Sequence, residues 1–167
     1  MDTPKTETPC ALTAAERAEA RELLDAALAV PTVSAEHGEA ALAALLAERL
    51  RREGISCRVE PLGDGRANLV AELPGESPEI VMLCGHMDTV PTGSAADWHS
   101  PPFQPTERDG RLFARGASDM KSGLAALCCA LIWQRRSGET PVHTLRLLAT
   151  ADEEPQRMHR RFAGAPL

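Results

Sequence analysis

Residues 81–90, VMLCGHMDTV, decide the fold, because an apolar run ends there at a glycine and leads into a histidine and an aspartate two positions apart. The apolar run, residues 80–84, predicts a buried β-strand, and Gly85 predicts the turn that ends it. His86 and Asp88 follow directly. In an extended chain both side chains would point the same way, so that one could hold a metal ion while the other orients it. This arrangement is more typical of a hydrolytic metal site than of a protein core.

The composition is that of one ordinary globular domain. The chain has 167 residues, of which 43% are hydrophobic and 25% charged, enough for a sizeable core. Its net charge of −6 argues against a nucleic-acid or anionic-membrane partner, since both require concentrated Lys and Arg. The N-terminus has no apolar signal segment, and no stretch reaches the roughly 18 apolar residues that span a bilayer. We therefore expect a cytoplasmic protein with neither kind of partner.

Five cysteines are present, and no pair has the CxxC spacing of many metal and redox sites. Cys84, Cys128 and Cys129 lie within apolar runs, which predicts that they are small buried hydrophobic residues in a reducing compartment. A disulfide framework is not expected.

The order of elements predicts an α/β fold with a mostly parallel mixed sheet flanked by helices. Apolar periodicity and turn signals predict three helices, at residues 14–29, 36–52 and 121–136. Thr13 and Glu16 have the spacing of a capping box at the start of the first helix. They also predict four strands, at residues 55–60, 67–73, 80–84 and 142–150, the first two forming an antiparallel hairpin at one sheet edge. Sites in such sheets gather at the carboxyl ends of strands, where His86 and Glu153 both fall.

Clusters of acidic and imidazole side chains recur at intervals of roughly 30 residues, about one βαβ unit. They are His86 with Asp88, Asp119 with Lys121, and residues 152–154. Adjacent strand ends could bring them together around two divalent ions, which need a carboxylate that reaches both. Asp119 is the natural bridge, with His86 as a terminal ligand and Asp88 as the acceptor of its other ring N–H.

The paired glutamates can divide their roles. Glu154 would bind the second metal, while Glu153 stays free as the general base that takes a proton from the attacking water. Taken singly, each of these side chains could instead be an ordinary surface charge, and only the three clusters in order favour the metal interpretation. Lys121, near a helix start, could be structural or could face the substrate, and the sequence does not decide between these roles.

Three motifs together carry a resemblance: GHMDTVP, DGRLFARGASDMKSGLAA and LLATADEE. They resemble the co-catalytic zinc family of acylases, deacetylases and carboxypeptidases, which includes acetylornithine deacetylase, succinyl-diaminopimelate desuccinylase and glutamate carboxypeptidase. Pattern and order match over residues 12–154. The resemblance implies the N-terminal part of a zinc-peptidase-like catalytic domain, with two Zn²⁺ ions, for which Co²⁺ can substitute. It also implies hydrolysis of the amide bond of an N-acyl amino acid or a small peptide.

The resemblance carries roles over to individual residues. It implies that His86 is a ligand of the first zinc, Asp119 the bridging ligand and Glu154 a ligand of the second zinc. It further implies that Asp88 orients the histidine, that Glu153 is the general base, and that a cis peptide bond follows the bridging aspartate.

Past the paired glutamates the sequence departs from the family. Members continue with a further acidic ligand, an inserted dimerisation domain and a final histidine ligand, none of which is found here. We therefore expect a disordered leader at residues 1–10, the N-terminal part of a metallohydrolase catalytic domain at 11–154 and a non-family tail at 155–167. Two interpretations stay open: a truncated metal-dependent amidohydrolase, and a non-catalytic remnant of one with weak or no metal binding.

Overall fold

The computed structural model describes residues 11–34, 36 and 38–154. The leader and the tail predicted at the two ends lie outside the described residues, as does Cys10. Three α-helices and six strands occur in the described part, in the order α1 Ala14–Ala29, α2 Glu39–Arg52, β1 Ser56–Gly63, β2 Arg66–Leu73, β3 Ser77–His86, β4 Thr106–Arg108, β5 Arg111–Phe113, α3 Ser122–Ser137 and β6 His143–Thr150. Within that part, no helix is both long and apolar enough to cross a membrane.

Local signals place the helix ends. The capping box predicted for α1 is present: Thr13 Oγ1 accepts the Glu16 N–H, and the Glu16 carboxylate accepts the Thr13 N–H at 2.7 Å. Gly138 ends α3 in the left-handed conformation, with φ of 75°. The start predicted for α2 at residue 36 is wrong, because Gly38 lies directly against the Pro31 carbonyl and the helix begins only after this close contact.

The main sheet has four strands in the order β1-β2-β6-β3. β1 pairs antiparallel with β2, as the predicted edge hairpin requires, and β2 also pairs antiparallel with β6. Among the strands that the structure describes, only the pair β3 and β6 runs parallel, and α3 lies in the connection between them as in a βαβ unit. The prediction of a mixed sheet is confirmed, but "mostly parallel" is wrong, because β6 lies between the hairpin and β3 and runs against the hairpin strand beside it.

The helices cover one face of this sheet. Alternate residues of β2 are buried, and they join the buried side chains of α1, α2 and α3 in one core. The opposite face, which includes Val70 and Leu148, is only partly buried and carries the ion pair of Arg146 with Glu72. Within the described residues the expectation of flanking helices therefore holds on one side of the sheet.

β3 is an edge strand, which corrects the prediction of a buried strand at residues 80–84. Ile80, Val81 and Met82 are 44%, 41% and 48% exposed, because no described strand lies beyond β3. Cys84 is likewise exposed, against prediction, whereas Cys128 and Cys129 are fully buried in α3, as predicted. The apolar run thus predicted the presence of a strand correctly and its surroundings wrongly. The predicted end at Gly85 is also wrong, because β3 continues through Gly85 to His86, which still pairs with Thr150 of β6.

Candidate metal centre

The candidate site lies at the carboxyl end of the parallel pair β3 and β6. His86 ends β3 and pairs with Thr150, which ends β6. Because the two strands run parallel, the loops that follow them, residues 87–90 and 151–154, leave the sheet at the same edge. The loop before α3 reaches this edge as well, since a Cβ on Gly85 would lie 3.0 Å from Met120 Cε.

The structure brings the predicted ligands together. His86 Nε2 lies 3.0 Å from Asp119 Oδ1 and 3.6 Å from Glu153 Oε2. One ligand atom each of His86, Glu153 and Glu154 lie within 4.8 Å of one another. Imidazole and carboxylate groups are donors that zinc and similar divalent ions take, so the predicted ligands His86, Asp119 and Glu154 fit a metal ion, with the predicted base Glu153 beside them.

The site is open on one side. The His86 side chain is 9% exposed, whereas those of Asp119 and Glu153 are 75% and 60% exposed. Glu154 is half-buried, and its pKa is raised by burial and by the nearby carboxylate of Asp119. Carboxylates that repel one another around a single imidazole are stabilised by a cation placed between them.

Asp88 is buried beneath the candidate site and contacts several of the segments that form it. Its side chain is fully buried, and its carboxylate accepts the backbone N–H groups of Glu153 at 3.1 Å and Glu154 at 2.8 Å, besides the Ser34 hydroxyl at 3.0 Å. The His86 Nδ1–H donates to the Asp88 backbone carbonyl at 3.0 Å, and Asp88 Oδ1 lies 3.6 Å from the same nitrogen. Asp88 therefore contacts both the histidine and the loop of the paired glutamates, and the second contact was not expected from the sequence.

Charge and hydrogen bonding shift the pKa values of this pair in opposite directions. The Asp88 carboxylate, and after it Asp119, raises the pKa of His86 to about 9 against the opposing effect of burial. Burial alone would raise the pKa of Asp88, but its hydrogen bonds with His86 and with the two backbone N–H groups lower that pKa to about 2. Asp88 is therefore a stable carboxylate beneath the site.

The connection between α1 and α2 supports Asp88 from the other side. The Thr32 hydroxyl donates to the Met87 carbonyl at 2.7 Å, and the Thr89 N–H donates to the Thr32 carbonyl at 2.8 Å. Ser34 returns a backbone N–H to the Thr89 carbonyl at 3.0 Å. From the sequence, no role was assigned to this stretch. The available signal was the alternation of Thr32 and Ser34, which in extended chain places two hydroxyls on one side.

Asp119 lies on an irregular turn, Ala117–Lys121, directly before α3. Its φ and ψ are not helical, and the Asp119–Met120 peptide bond is cis, as the resemblance implied. Gly116 precedes the turn with φ of 82°, where a Cβ would lie 2.7 Å from Thr89 Cγ2. The turn is therefore packed tightly against the loop that follows β3.

The loop of the paired glutamates is also anchored to the neighbouring strand β2. The Ala151 N–H donates to Asn68 Oδ1 at 3.0 Å, and Arg66 lies 3.2 Å from the Asp152 carboxylate. Sequence reasoning missed both anchors, because they depend on β6 lying beside β2, which no local pattern signals.

Sequence comparison identifies relatives of this chain. The sequence profile of Peptidase family M20/M25/M40 matches residues 82–166. A protein named probable succinyl-diaminopimelate desuccinylase from Staphylococcus epidermidis is 42% identical over 112 residues, which are 67% of this chain and 27% of that protein. Succinyl-diaminopimelate desuccinylase from Alkalilimnicola ehrlichii is 44% identical over 110 residues, 66% of this chain and 29% of that protein. The chain thus spans less than a third of the length of these relatives.

Solved structures agree on the fold. The M20 family metallo-carboxypeptidase Sso-CP2 from Sulfolobus solfataricus matches with a TM-score of 0.72 and 27% identity, over 80% of this chain and 30% of that one. Human carnosine dipeptidase 1 matches with a TM-score of 0.71 at 21% identity, over 88% of this chain and 36% of that one. The family profile covers half of this sequence, and its matched region carries every residue of the candidate site. The chain belongs to peptidase family M20/M25/M40.

Proposed function

We propose that this chain carries the metal-binding part of a hydrolase that cleaves the amide bond of N-acyl amino acids or small peptides. The observation that carries the proposal is the convergence of His86, Asp119, Glu153 and Glu154 at the carboxyl end of the parallel strand pair. The names of the relatives support it, since a desuccinylase, a carboxypeptidase and a dipeptidase all break C–N amide bonds.

In this proposal the site holds two Zn²⁺ ions, for which Co²⁺ can substitute. His86 would hold one ion, Glu154 would hold the other, and Asp119 would be the ligand that the two share. Zinc held there would polarise the scissile carbonyl and lower the pKa of water. The remaining steps belong to the chain's own side chains.

Glu153 is the general base of the proposed reaction. Its carboxylate takes a proton from the water that attacks the amide carbon, and returns a proton to the amine as the C–N bond breaks. The 60% exposure of its side chain leaves it on the open side of the site, where a substrate arrives. Asp88 assists from below, since it accepts the backbone N–H of Glu153 and lies against His86.

The second candidate is a non-catalytic remnant, and one observation favours it. The metal-ligand cluster found among the described residues contains a single histidine, His86. Two metal ions bound there would therefore have few protein ligands each. A catalytic zinc commonly has three protein ligands, and a looser site would bind metal weakly without enforcing a reactive geometry.

The proposed setting follows from composition. The net charge of −6 and the free cysteines Cys57, Cys84, Cys128 and Cys129 support a cytoplasmic location and a small-molecule substrate, without a nucleic-acid or membrane partner. The domain boundary at residue 154 stays a prediction.

The deciding experiment is turnover of N-acetyl and N-succinyl amino acids by the purified chain at saturating zinc. We expect product formation that Glu153→Ala abolishes without lowering zinc content, while Glu48→Ala, a control on the exposed side of α2, leaves it intact. A rate that survives in Glu153→Ala would refute the base assignment. Zinc bound without any turnover would establish the remnant instead.

A further inference from the structure

Lys121 is the largest side chain that the structure encloses completely. Its Nζ donates to the carbonyl of Ala27 at 3.0 Å and to that of Val30 at 2.7 Å, at the C-terminal end of α1. Of the two roles that the sequence left open, this burial excludes contact with a substrate. The amine instead joins the start of α3 to the end of α1.

The buried amine lies at the carbonyl end of α1. The C-terminus of a helix carries partial negative charge on its unpaired carbonyls, and an ammonium group satisfies them. Burial lowers the pKa of Lys121 to about 8, and the fully buried side chain of Glu39, at the start of α2, partly opposes this shift. The carbonyls at the end of α1 thus hold the amine.

Besides the buried amine, the segment before Lys121 is held by the packing of Gly116 against Thr89 and by the contact of Asp119 Oδ1 with His86 Nε2 at 3.0 Å. Within the turn Ala117–Lys121, the Lys121 N–H donates to the Gly116 carbonyl at 3.0 Å and the Ala117 N–H donates to the Ala114 carbonyl at 3.3 Å. The Asp119 side chain, which is 75% exposed, lies two residues before the buried amine. A fixed Lys121 therefore limits how far Asp119 can move.

The chain that follows α1 also supports the loop that contains Asp88. Val30, which accepts from Lys121, is followed by Thr32 and Ser34, which bind the loop containing Asp88. The end of α1 is therefore a shared base for the two loops that carry Asp88 and Asp119.

We propose that Lys121 is a positioning residue, whose ammonium group ties the Asp119 turn to the end of α1 and so holds Asp119 beside His86. The inference rests on the proposed function in taking Asp119 as a metal ligand. Lys121 itself touches neither metal nor substrate.

The test compares Lys121→Met, which keeps the length of the side chain and removes the donors, with Leu50→Ala, which opens the core in α2 far from the turn. In Lys121→Met we expect zinc affinity to fall by about tenfold, as for other residues that orient metal ligands, and the visible spectrum of bound Co²⁺ to change. Leu50→Ala should lower the melting temperature and leave affinity and spectrum unchanged. A folded Lys121→Met with wild-type affinity and spectrum would overturn the proposal.

A second measurement covers the case in which Lys121→Met does not fold. In the wild-type chain we expect the ¹³C resonances of the Ala27 and Val30 carbonyls to move on zinc saturation, while that of exposed Leu62 stays in place. Carbonyl resonances that do not move at full zinc occupancy would contradict the proposal.

Failure of the proposed function gives a different result. If the wild-type chain binds no zinc, amide exchange of residues 116–121 in the metal-free chain still tests the tether. If Lys121→Met folds, these amides should exchange faster in the variant than in the wild type. If it does not fold, the same amides of the metal-free wild type should exchange as slowly as those in the adjoining part of α3. Fast exchange of these amides in the metal-free wild type would contradict the tether.

Discussion

The carboxylate of Asp88 accepts the backbone N–H of Glu154 at 2.8 Å, and the two residues are 66 positions apart in the sequence. This bond joins the loop after β3 to the loop after β6. Loops have few internal contacts that fix their conformation, so the position of the paired glutamates depends on a buried carboxylate from another strand. Asp88, which contacts His86, thus also holds Glu153, the proposed base, and Glu154, the proposed ligand of the second zinc.

Replacing this carboxylate should loosen the glutamate loop. Asp88→Asn keeps the shape of the side chain but removes one acceptor oxygen, so that a partly buried N–H of Glu153 or Glu154 loses its partner. We expect the free energy of unfolding to fall by about 1–3 kcal/mol and the two amides to exchange faster. Urea denaturation and amide exchange measure these effects. Asp97→Asn, on an exposed turn, is the control, and an equal loss in both variants would contradict the role of Asp88.

The close packing of Gly116 against Thr89 should contribute to stability in addition to the effect of its positive φ. Gly116→Ala would place a Cβ 2.7 Å from Thr89 Cγ2, whereas Gly110→Ala meets nothing within 4 Å. Both glycines have positive φ, 82° and 70°, so both variants bear a similar conformational cost of roughly 1 kcal/mol. We expect Gly116→Ala to lose more stability and to weaken zinc binding. Equal melting temperatures for the two variants would show that the contact with Thr89 is unimportant.

A charge network across the helices predicts a pH dependence. Hydrogen bonds from Arg136, and after it Arg49, lower the pKa of Glu53 from 4.5 to about 2. A carboxylate with a depressed pKa in the folded state stabilises the fold above its unfolded pKa, and this stabilisation is lost as the pH falls toward the folded pKa. The contribution of Glu53 is therefore complete above about pH 4.5 and disappears toward pH 2.

Arg136→Met tests this network by urea denaturation at several pH values. The guanidinium is partly exposed, so we expect a loss of about 1 kcal/mol near neutral pH that shrinks between pH 4.5 and 2. Arg52→Met removes the exposed pair with Glu48 and should change stability little at any pH. A deficit in Arg136→Met that stays constant across this range would contradict the role of Glu53.

The local elements and the grouping of the site residues could be predicted from the sequence. The capping box of α1 depends on residues three positions apart, and the approach of His86 to Glu153 follows from two strands that end at one sheet edge. Both arguments use short-range patterns or the general geometry of βαβ units. This is why they succeeded without knowledge of the whole fold.

The predictions that were wrong or missing concern contacts between residues far apart in the sequence. The apolar run at residues 80–84 was interpreted as buried, but burial depends on a neighbouring strand that the run itself does not encode. The insertion of β6 beside β2 is a non-local pairing, and with it came the unexpected anchor at Asn68. Ser34 and Lys121 belong to the same class, since their partners lie 54 and more than 90 residues away.

The most direct test of the proposed metal site is the zinc affinity of the wild-type chain and of His86→Ala, measured by titration against a chelating indicator. If His86 and the carboxylates around it form the site, the wild type binds zinc saturably, and His86→Ala binds it at least about tenfold more weakly. His143→Ala, which removes a histidine at the far end of β6, should bind as the wild type does. Equal zinc binding by the wild type and His86→Ala would contradict the account.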